Sequence, residues 1–153
     1  MKRPIIDVII PAYNEESSIG LVLKEIPKEW VREVIVCNNA STDQTATVAK
    51  AGGATVVDQP RPGYGSACLA GMAYIEAKKT TEQPDIVVFI DGDFSDYPEE
   101  LPLLVQPILE NEMDMVIGSR ALRPIEKGAM QPQQIFGNWL ATNLIRLFYR
   151  YNF

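Results

Sequence analysis

The sequence predicts an α/β fold in which a mainly parallel sheet carries helices on both faces. Short runs rich in Val and Ile alternate with longer segments of helical periodicity. The runs IIDVII, VIV and IVVFI are apolar almost throughout, as is typical of strands covered on both faces. With 153 residues, 46% of them hydrophobic, the chain is long enough to bury one core.

Five strands and four helices are predicted to alternate along the chain. The strands are Ile5–Ile10, Glu33–Cys37, Thr55–Asp58, Asp85–Ile90 and Met113–Gly118. The helices between them are Ser17–Ile26, Asp43–Ala51, Gly65–Lys79 and Pro98–Leu109. Because each strand is followed by a helix that leads back to the next strand, the strands are expected to run parallel.

Each predicted helix follows residues that favour a helix start. Residues 14–18 (NEESS) start the first helix, and residues 41–43 (STD) offer a cap for the second. Glycines in residues 61–67 (RPGYGSA) open the third, either as a plain tight turn or as a loop that contacts a ligand. Asp96 and Pro98 begin the fourth, and Asp96 is therefore read as part of a helix start rather than as a metal ligand.

The composition excludes several kinds of chemistry. The chain has no histidine, so it holds no Ser-His-Asp or Cys-His nucleophile and no imidazole-zinc site. Cys37 and Cys68 have no metal-ligand spacing and are expected to be reduced and buried in a cytoplasmic protein. The start of the chain does not read as a signal peptide, and no run reaches the roughly 18 apolar residues of a membrane-spanning helix.

Charge is unevenly distributed along the chain. Residues 1–118 hold 9 Lys/Arg and 19 Asp/Glu, whereas residues 119–153 hold 5 Lys/Arg against Glu126 alone. The acidic body argues against nucleic-acid binding. The basic segment suits a phosphate group or an anionic membrane surface, although an ordinary solvated face remains the alternative.

Polar clusters follow four of the predicted strands. They are Pro11-Ala12-Tyr13-Asn14-Glu15, Asn38-Asn39-Ala40-Ser41-Thr42-Asp43, Asp91-Gly92-Asp93 and Gly118-Ser119-Arg120. Parallel sheets bind ligands beyond the carboxyl ends of their strands, so these clusters are expected to converge on one site.

Asp91 and Asp93 end an apolar strand, where two carboxylates are costly unless a cation meets them. Gly92 between them lets the backbone turn so that both side chains approach one ion. Mg²⁺ and Mn²⁺ prefer oxygen ligands and often complete their shell with phosphate oxygens. The pattern therefore predicts a divalent metal that bridges a diphosphate, although aspartates at this spacing also open turns or cap helices.

These clusters, in this order, resemble glycosyltransferase family 2, whose fold is the Rossmann-like GT-A type. The family pattern corresponds here to PAYNE, NNASTDQT, GYGSA, DGD and GSR, over essentially the whole chain. GYGSA, DGDFSDYPEE and the tail QQIFGNWLATNLIRLFY look most like the branch of dolichyl-phosphate mannose and polyprenyl-phosphate glucose synthases.

The resemblance implies a set of site residues. The residues expected to bind the nucleotide-sugar are Pro11, Ala12, Tyr13, Glu15, the Cys37 backbone, Asn39, Gly63, Asp91, Gly92 and Arg120. Asp91 and Asp93 are expected to be catalytic, with Asp93 holding the metal and Ser95 at the position of a further ligand, where a hydroxyl is the poorer donor. Asn39 would read the base where Asp is commoner, which leaves UDP and GDP both open.

The C-terminal segment is predicted to be an amphipathic helix. Apolar side chains fall near helical spacing at Ile135, Phe136, Trp139, Leu140, Leu144, Leu147 and Phe148. The segment is expected either to lie on a membrane surface at its inner, cytoplasmic face or to pack on a further part of the protein. We therefore divide the chain into a nucleotide-sugar-binding catalytic domain, 1–130, and this basic helix, 131–153.

The predicted reaction is an inverting, metal-dependent transfer from a UDP- or GDP-sugar to a polyprenyl phosphate. Such a phosphate is largely dianionic near neutrality, so it needs little help from a base. Arg120, Arg123 and Lys127 are expected to hold it. A glycan hydroxyl acceptor, which would require a carboxylate base, and a nucleotide-sugar-binding module without turnover are the alternatives.

Overall fold

The structure is a computed structural model that describes residues 4–110, 113–118 and 132–149. The chain divides into two compact units, Met1–Val116 and Ile117–Phe153. In the first unit the strands are β1 (Ile6–Ala12), β2 (Glu33–Asn38), β3 (Thr55–Asp58) and β4 (Ile86–Phe89). Its helices are α1 (Ile19–Glu25), α2 (Thr45–Ala51), α3 (Tyr64–Glu76) and α4 (Leu101–Leu109), the last preceded by a 3₁₀ turn at Pro98–Glu100.

The four strands form one sheet in the order β3-β2-β1-β4, and every neighbouring pair is parallel. β1 lies inside the sheet and all seven of its residues are buried. Ala12 at the end of β1 is in register with Asn38 at the end of β2. The carboxyl ends of the strands therefore share one edge, and the predicted parallel α/β fold is confirmed.

Helices cover both faces of this sheet. On one face, strand residues such as Val8 and Ile10 pack in a core cluster with side chains of α1, α2 and α4. On the other face, Ile9 and Cys37 pack against α3. There Gly71 allows close approach, because a Cβ at this position would lie 2.7 Å from Ile9 Cγ2 and 2.9 Å from Cys37 Sγ. The covered faces explain why the strands are apolar almost throughout.

A buried charge network lies at the amino end of β1. The Asp7 side chain is fully buried and accepts hydrogen bonds from both Arg32, through Nε (2.9 Å) and Nη2, and Lys78 (3.1 Å). Lys78 also donates to Glu33 at the start of β2. A buried carboxylate is tolerated only when it is paired and hydrogen-bonded, and these two cations meet that need.

The strand predicted at Met113–Gly118 is wrong. These six residues belong to no strand, and Met113, Met115 and Ile117 are exposed. A strand exists only where a neighbouring backbone pairs with it, and within the described ranges no such neighbour is present. The β-branched residues Val116 and Ile117 favour extended backbone, but that local preference does not form a strand without a partner.

The second unit contains α5 (Pro132–Tyr149), which confirms that the C-terminal segment is helical. Its described large apolar side chains, among them Trp139, Leu147 and Phe148, are largely exposed. Within the described ranges, no helix has the length and hydropathy required to cross a bilayer.

Candidate functional site

A cleft of about 480 Å³ opens at the carboxyl edge of the sheet. Segments after three strands and the start of α3 contribute its walls. It is lined by Pro11, Ala12, Tyr13, Glu15, Asn39, Pro62, Gly63, Tyr64, Ala67, Asp91, Gly92 and Asp93. The predicted clusters after β1, β2 and β4 thus converge as parallel topology requires.

The segments after β1 and β2 are joined by reciprocal hydrogen bonds. Asn14 N donates to Ser41 Oγ (3.1 Å), and Thr42 N donates back to Asn14 Oδ1 (2.9 Å). Glu15 N donates to Thr45 Oγ1 (2.8 Å) at the start of α2. The polar residues of both motifs thereby satisfy each other's backbone, which holds the chain next to the exposed Tyr13.

Asp43 supports the start of α2, as predicted, and also binds the opposite segment. Its Oδ1 accepts from Thr45 N (2.9 Å) and its Oδ2 from Glu16 N (3.1 Å). Glu16 Oε2 in turn accepts from Gln44 N (2.8 Å). The backbone N–H groups of Gln44 and Thr45 at this helix start are therefore already hydrogen-bonded to carboxylates of the protein itself.

Three residues near these strand ends have left-handed backbone conformations. The φ angles of Asn14, Ala40 and Phe94 are 56°, 56° and 60°. Such angles are costly for Ala and Phe, and they persist only where surrounding contacts impose them. Strained backbone at this edge is typical of a functional site.

Asn39 connects the end of β2 to the loop before α3. Its Nδ2 donates to Gln59 O (3.2 Å) and Arg61 O (2.7 Å), and its Oδ1 accepts from Gly63 N (2.8 Å). Gly63 has a φ of +128°, which favours glycine at this position. Residues 62–64 of this loop line the cleft.

Asp91-Gly92-Asp93 forms another part of the cleft wall. Asp91 Oδ1 accepts from the Tyr64 hydroxyl (3.1 Å), and Asp93 Oδ1 accepts from Ser95 N (2.9 Å). Burial and the neighbouring Asp91 raise the pKa of Tyr64 to about 12, so its hydroxyl stays protonated and donates at neutral pH. A Cβ on Gly92 would lie 3.3 Å from Pro11 O, which shows how closely this turn approaches the end of β1.

The donor set fits a hard divalent cation that binds together with a phosphate group. Asp91 and Asp93 both line the cleft and offer only oxygen ligands. Across the described ranges, no group of three or more Asp, Glu, Cys or His side chains is placed to hold a metal by itself. Two carboxylates leave several coordination positions for ligand oxygens and water, as Mg²⁺ and Mn²⁺ sites commonly do.

The cleft does not include all of the predicted residues that the structure describes. Cys37 is fully buried under α3 and does not line the cleft, nor does the exposed Ser95. Arg120, Arg123 and Lys127 lie outside the described residues.

Sequence reasoning gave no role to Pro62, Tyr64 and Ala67, all of which line the cleft. An aromatic residue between two glycines at a helix start was the available signal for Tyr64.

Comparisons with known proteins agree with this geometry. Residues 7–153 match the family described as Glycosyl transferase family 2. An uncharacterized glycosyltransferase of Mycobacterium tuberculosis H37Rv is 46% identical over 82% of this chain and 52% of its own length. A low-salt glycan biosynthesis hexosyltransferase of Haloferax volcanii is 31% identical over 95% of this chain and 35% of its own length. The chain thus spans about half the length, or less, of these relatives.

Solved structures extend the likeness to three dimensions. Glucosyl-3-phosphoglycerate synthase from M. tuberculosis, in complex with Mn²⁺, UDP-glucose and phosphoglyceric acid, is 37% identical with a TM-score of 0.60. The match covers 71% of this chain and 41% of that one. Such neighbours are GT-A glycosyltransferases, so the predicted fold type is confirmed. These three relatives do not confirm the dolichyl-phosphate mannose branch, since none of them is named for a polyprenyl phosphate.

Proposed function

Because this chain belongs to glycosyl transferase family 2, we propose that its cleft binds a nucleoside-diphosphate sugar and that the protein transfers the sugar to an acceptor. One observation carries the proposal. Tyr13 and Glu15 line the same cleft as Asp91 and Asp93. The first pair offers an aromatic face and a hydrogen-bonding carboxylate for a nucleoside, and the second pair offers carboxylates for a metal-bound diphosphate.

The nucleoside is proposed to lie at the ends of β1 and β2. Tyr13 is 59% exposed and offers its ring to a base. Glu15 lies beside it, where its carboxylate can accept from a ribose hydroxyl while Oε2 accepts from Ser18 Oγ (2.6 Å). The backbone around both residues is held by the hydrogen bonds between the two segments, so little backbone entropy is lost when the nucleoside binds.

A divalent cation is proposed to bind at Asp91 and Asp93. When bound there it would neutralise the charge that develops on the leaving nucleoside diphosphate. The Tyr64 hydroxyl and Ser95 N–H each donate to one of these carboxylates, which limits the rotation of both side chains. The Mn²⁺ of the similar solved structure supports the choice of metal.

UDP-glucose is the donor that we propose first. Its support is the M. tuberculosis synthase structure with UDP-glucose and Mn²⁺, at 37% identity. GDP-sugars remain the alternative, because Tyr13 and Glu15 can contact the base and the ribose of either nucleotide.

The acceptor is proposed to carry a phosphate. Phosphoglyceric acid in the similar structure supports a small phosphorylated acceptor. A polyprenyl phosphate shares the same head group, and Arg120, Arg123 and Lys127, within the proposed catalytic domain 1–130, would serve either one. In the reaction an acceptor oxygen forms a bond to the anomeric carbon as the bond from that carbon to the diphosphate breaks. Attack from the opposite face inverts the configuration.

Calorimetric titration of UDP and GDP, each with and without Mn²⁺, tests the binding step. We expect UDP to bind more tightly with Mn²⁺, and Asp93→Asn to abolish that metal dependence while the melting temperature changes little. Asp114→Asn removes the same charge from an exposed residue outside the cleft and should retain the dependence. Equal Mn²⁺ dependence in both variants would refute the metal role of Asp93.

Release of UDP from UDP-glucose tests turnover. Parallel reactions with 3-phosphoglycerate, a short-chain polyprenyl phosphate and a sugar acceptor separate the acceptor classes. Transfer to the sugar alone would favour a glycan acceptor, for which the H. volcanii hexosyltransferase is the supporting relative. Binding of UDP without product in any reaction would make this chain a nucleotide-sugar-binding module and refute the transfer step.

A further inference from the structure

The side-chain amide of Asn39 forms three hydrogen bonds, all of them with the backbone of residues 59–63. The side chain is 5% exposed. Nδ2 donates to Gln59 O (3.2 Å) and Arg61 O (2.7 Å), and Oδ1 accepts from Gly63 N (2.8 Å). The residue expected from the family resemblance to read the base therefore makes its described contacts with the protein itself.

Only an amide satisfies these three partners. An Asn side chain has two N–H donors and one oxygen acceptor, and here both donors meet carbonyl groups. An aspartate at position 39 would still accept from Gly63 N, but its second oxygen would face the carbonyls of Gln59 and Arg61. Both carbonyls would lose the Asn39 donor and meet a negative charge instead, although Arg61 O would keep its hydrogen bond from Ser66 Oγ.

The 59–63 segment forms part of the cleft wall. Its end at Pro62 and Gly63 lines the cleft, and Tyr64 follows as the first residue of α3. Further bonds hold it locally, since Ser66 Oγ donates to Arg61 O (2.6 Å) and Arg61 N donates to Gln59 Oε1 (3.0 Å). Through its side chain, Asn39 ties this wall to the end of β2.

We propose that Asn39 is a positioning residue that holds the 59–63 segment in its cleft-lining conformation, and that an amide rather than a carboxylate is required there. The inference rests on the proposed function, because it assumes that the cleft binds a nucleoside diphosphate. It also gives a structural reason for an amide at a position where the family resemblance leads to the expectation of an Asp.

Two substitutions separate this role from direct reading of the base. If Asn39 only accepts a ring N–H, Asn39→Asp keeps the acceptor and should retain UDP affinity, whereas Asn39→Ala should lose it. If Asn39 holds the wall, Asn39→Asp should weaken UDP binding in Mn²⁺ by about 10- to 100-fold, at least as much as Asn39→Ala. Retained or tighter binding in Asn39→Asp would overturn the proposal.

Asn38→Asp is the matched control for charge. It introduces the same carboxylate one residue earlier, where the Asn38 side chain donates to Asp58 (2.8 Å) and not to the 59–63 segment. Both Asp variants are expected to lower the melting temperature, but only Asn39→Asp should weaken UDP binding well below that temperature. Equal loss of affinity in the two variants would assign the effect to charge and overturn the positioning role.

Hydrogen exchange of the ligand-free protein tests the wall without any nucleotide. Gly63 N is protected by Asn39 Oδ1, so Asn39→Ala should speed exchange of the peptide that contains residues 61–66 by about tenfold. Unchanged exchange would overturn the proposal even if Asn39→Asp fails to fold. If UDP does not bind the unaltered chain, the proposed function fails, while this measurement still decides the role of Asn39.

Discussion

Replacement of Lys78 by methionine tests the buried charge network at the amino end of β1. The change removes the ammonium group and keeps a side chain of similar length. Lys78 donates to Asp7 (3.1 Å) and to Glu33, and the Asp7 side chain is completely buried. Because Arg32 still pairs with Asp7, the expected cost is the loss of two charge-assisted hydrogen bonds, about 2–4 kcal/mol, rather than that of an isolated buried charge.

The pH dependence of this loss of stability follows from the shifted pKa values of Glu33 and Lys78. Burial alone would raise the pKa of Glu33, but hydrogen bonds from Lys78, Thr55 and Tyr74 lower it below its ordinary value. A lowered carboxyl pKa contributes stability above the unfolded value, about 4.3, and that contribution is lost as pH falls through the folded value. Burial opposes the charge of Lys78, but its hydrogen bonds to Glu33 and Asp7 raise its pKa. That contribution is present below the unfolded value, about 10.4, and is lost as pH rises through the folded one.

Urea unfolding followed by tryptophan fluorescence measures the effect, because Trp30 packs against the core. The difference in the free energy of unfolding between Lys78→Met and the unaltered chain should have its largest value near about pH 7 and a smaller value near about pH 4. Lys79→Met is the control, since Lys79 is exposed and forms no ion pair within the described ranges. A difference that does not change with pH, or a loss no larger than that of the control, would refute the reasoning.

Two further predictions concern α3. Gly71→Ala should lower the free energy of unfolding by about 1–3 kcal/mol, because its Cβ would lie 2.7 Å from Ile9 Cγ2, and a melting temperature equal to that of the unaltered chain would contradict it. Tyr64→Phe removes the hydrogen bond to Asp91 and should weaken UDP binding in Mn²⁺ by about 2- to 10-fold in calorimetry. Tyr74→Phe, which removes a hydroxyl at the other end of the sheet, should leave that affinity unchanged, and a similar loss in both variants would count against a role for Tyr64.

The segments after β1 and β2 show how local and distant signals differ. A turn after each strand was predictable, because apolar runs end there in Asn, Ser, Thr and Asp. That Glu15 N donates to Thr45 Oγ1, 30 residues away, depends on the parallel pairing of the two strands. The sequence therefore predicted that these residues meet at one edge, and the structure added which atoms bond.

Residues 113–118 show the limit of local strand preference. Val116 and Ile117 favour extended backbone, yet this preference alone forms no strand. β3, with only four residues, does form one because β2 lies beside it in register. The difference between the two segments is the presence of a neighbouring strand to pair with, and the sequence of the segment itself does not contain that information.

The amino-acid sequence by itself was enough to predict that strands and helices alternate and that the sheet is parallel. It was also enough to predict that Tyr13, Glu15 and Asp91 converge on the carboxyl edge of the sheet. These features follow from hydrophobic periodicity and turn residues, which act over a few neighbouring positions. Only the tertiary structure decided that the Asn39 amide holds the 59–63 segment and that Tyr64 donates to Asp91. The partners in these hydrogen bonds are 20 or more residues apart in sequence. Only the packing of the folded core brings the donor and acceptor atoms within about 3 Å of each other.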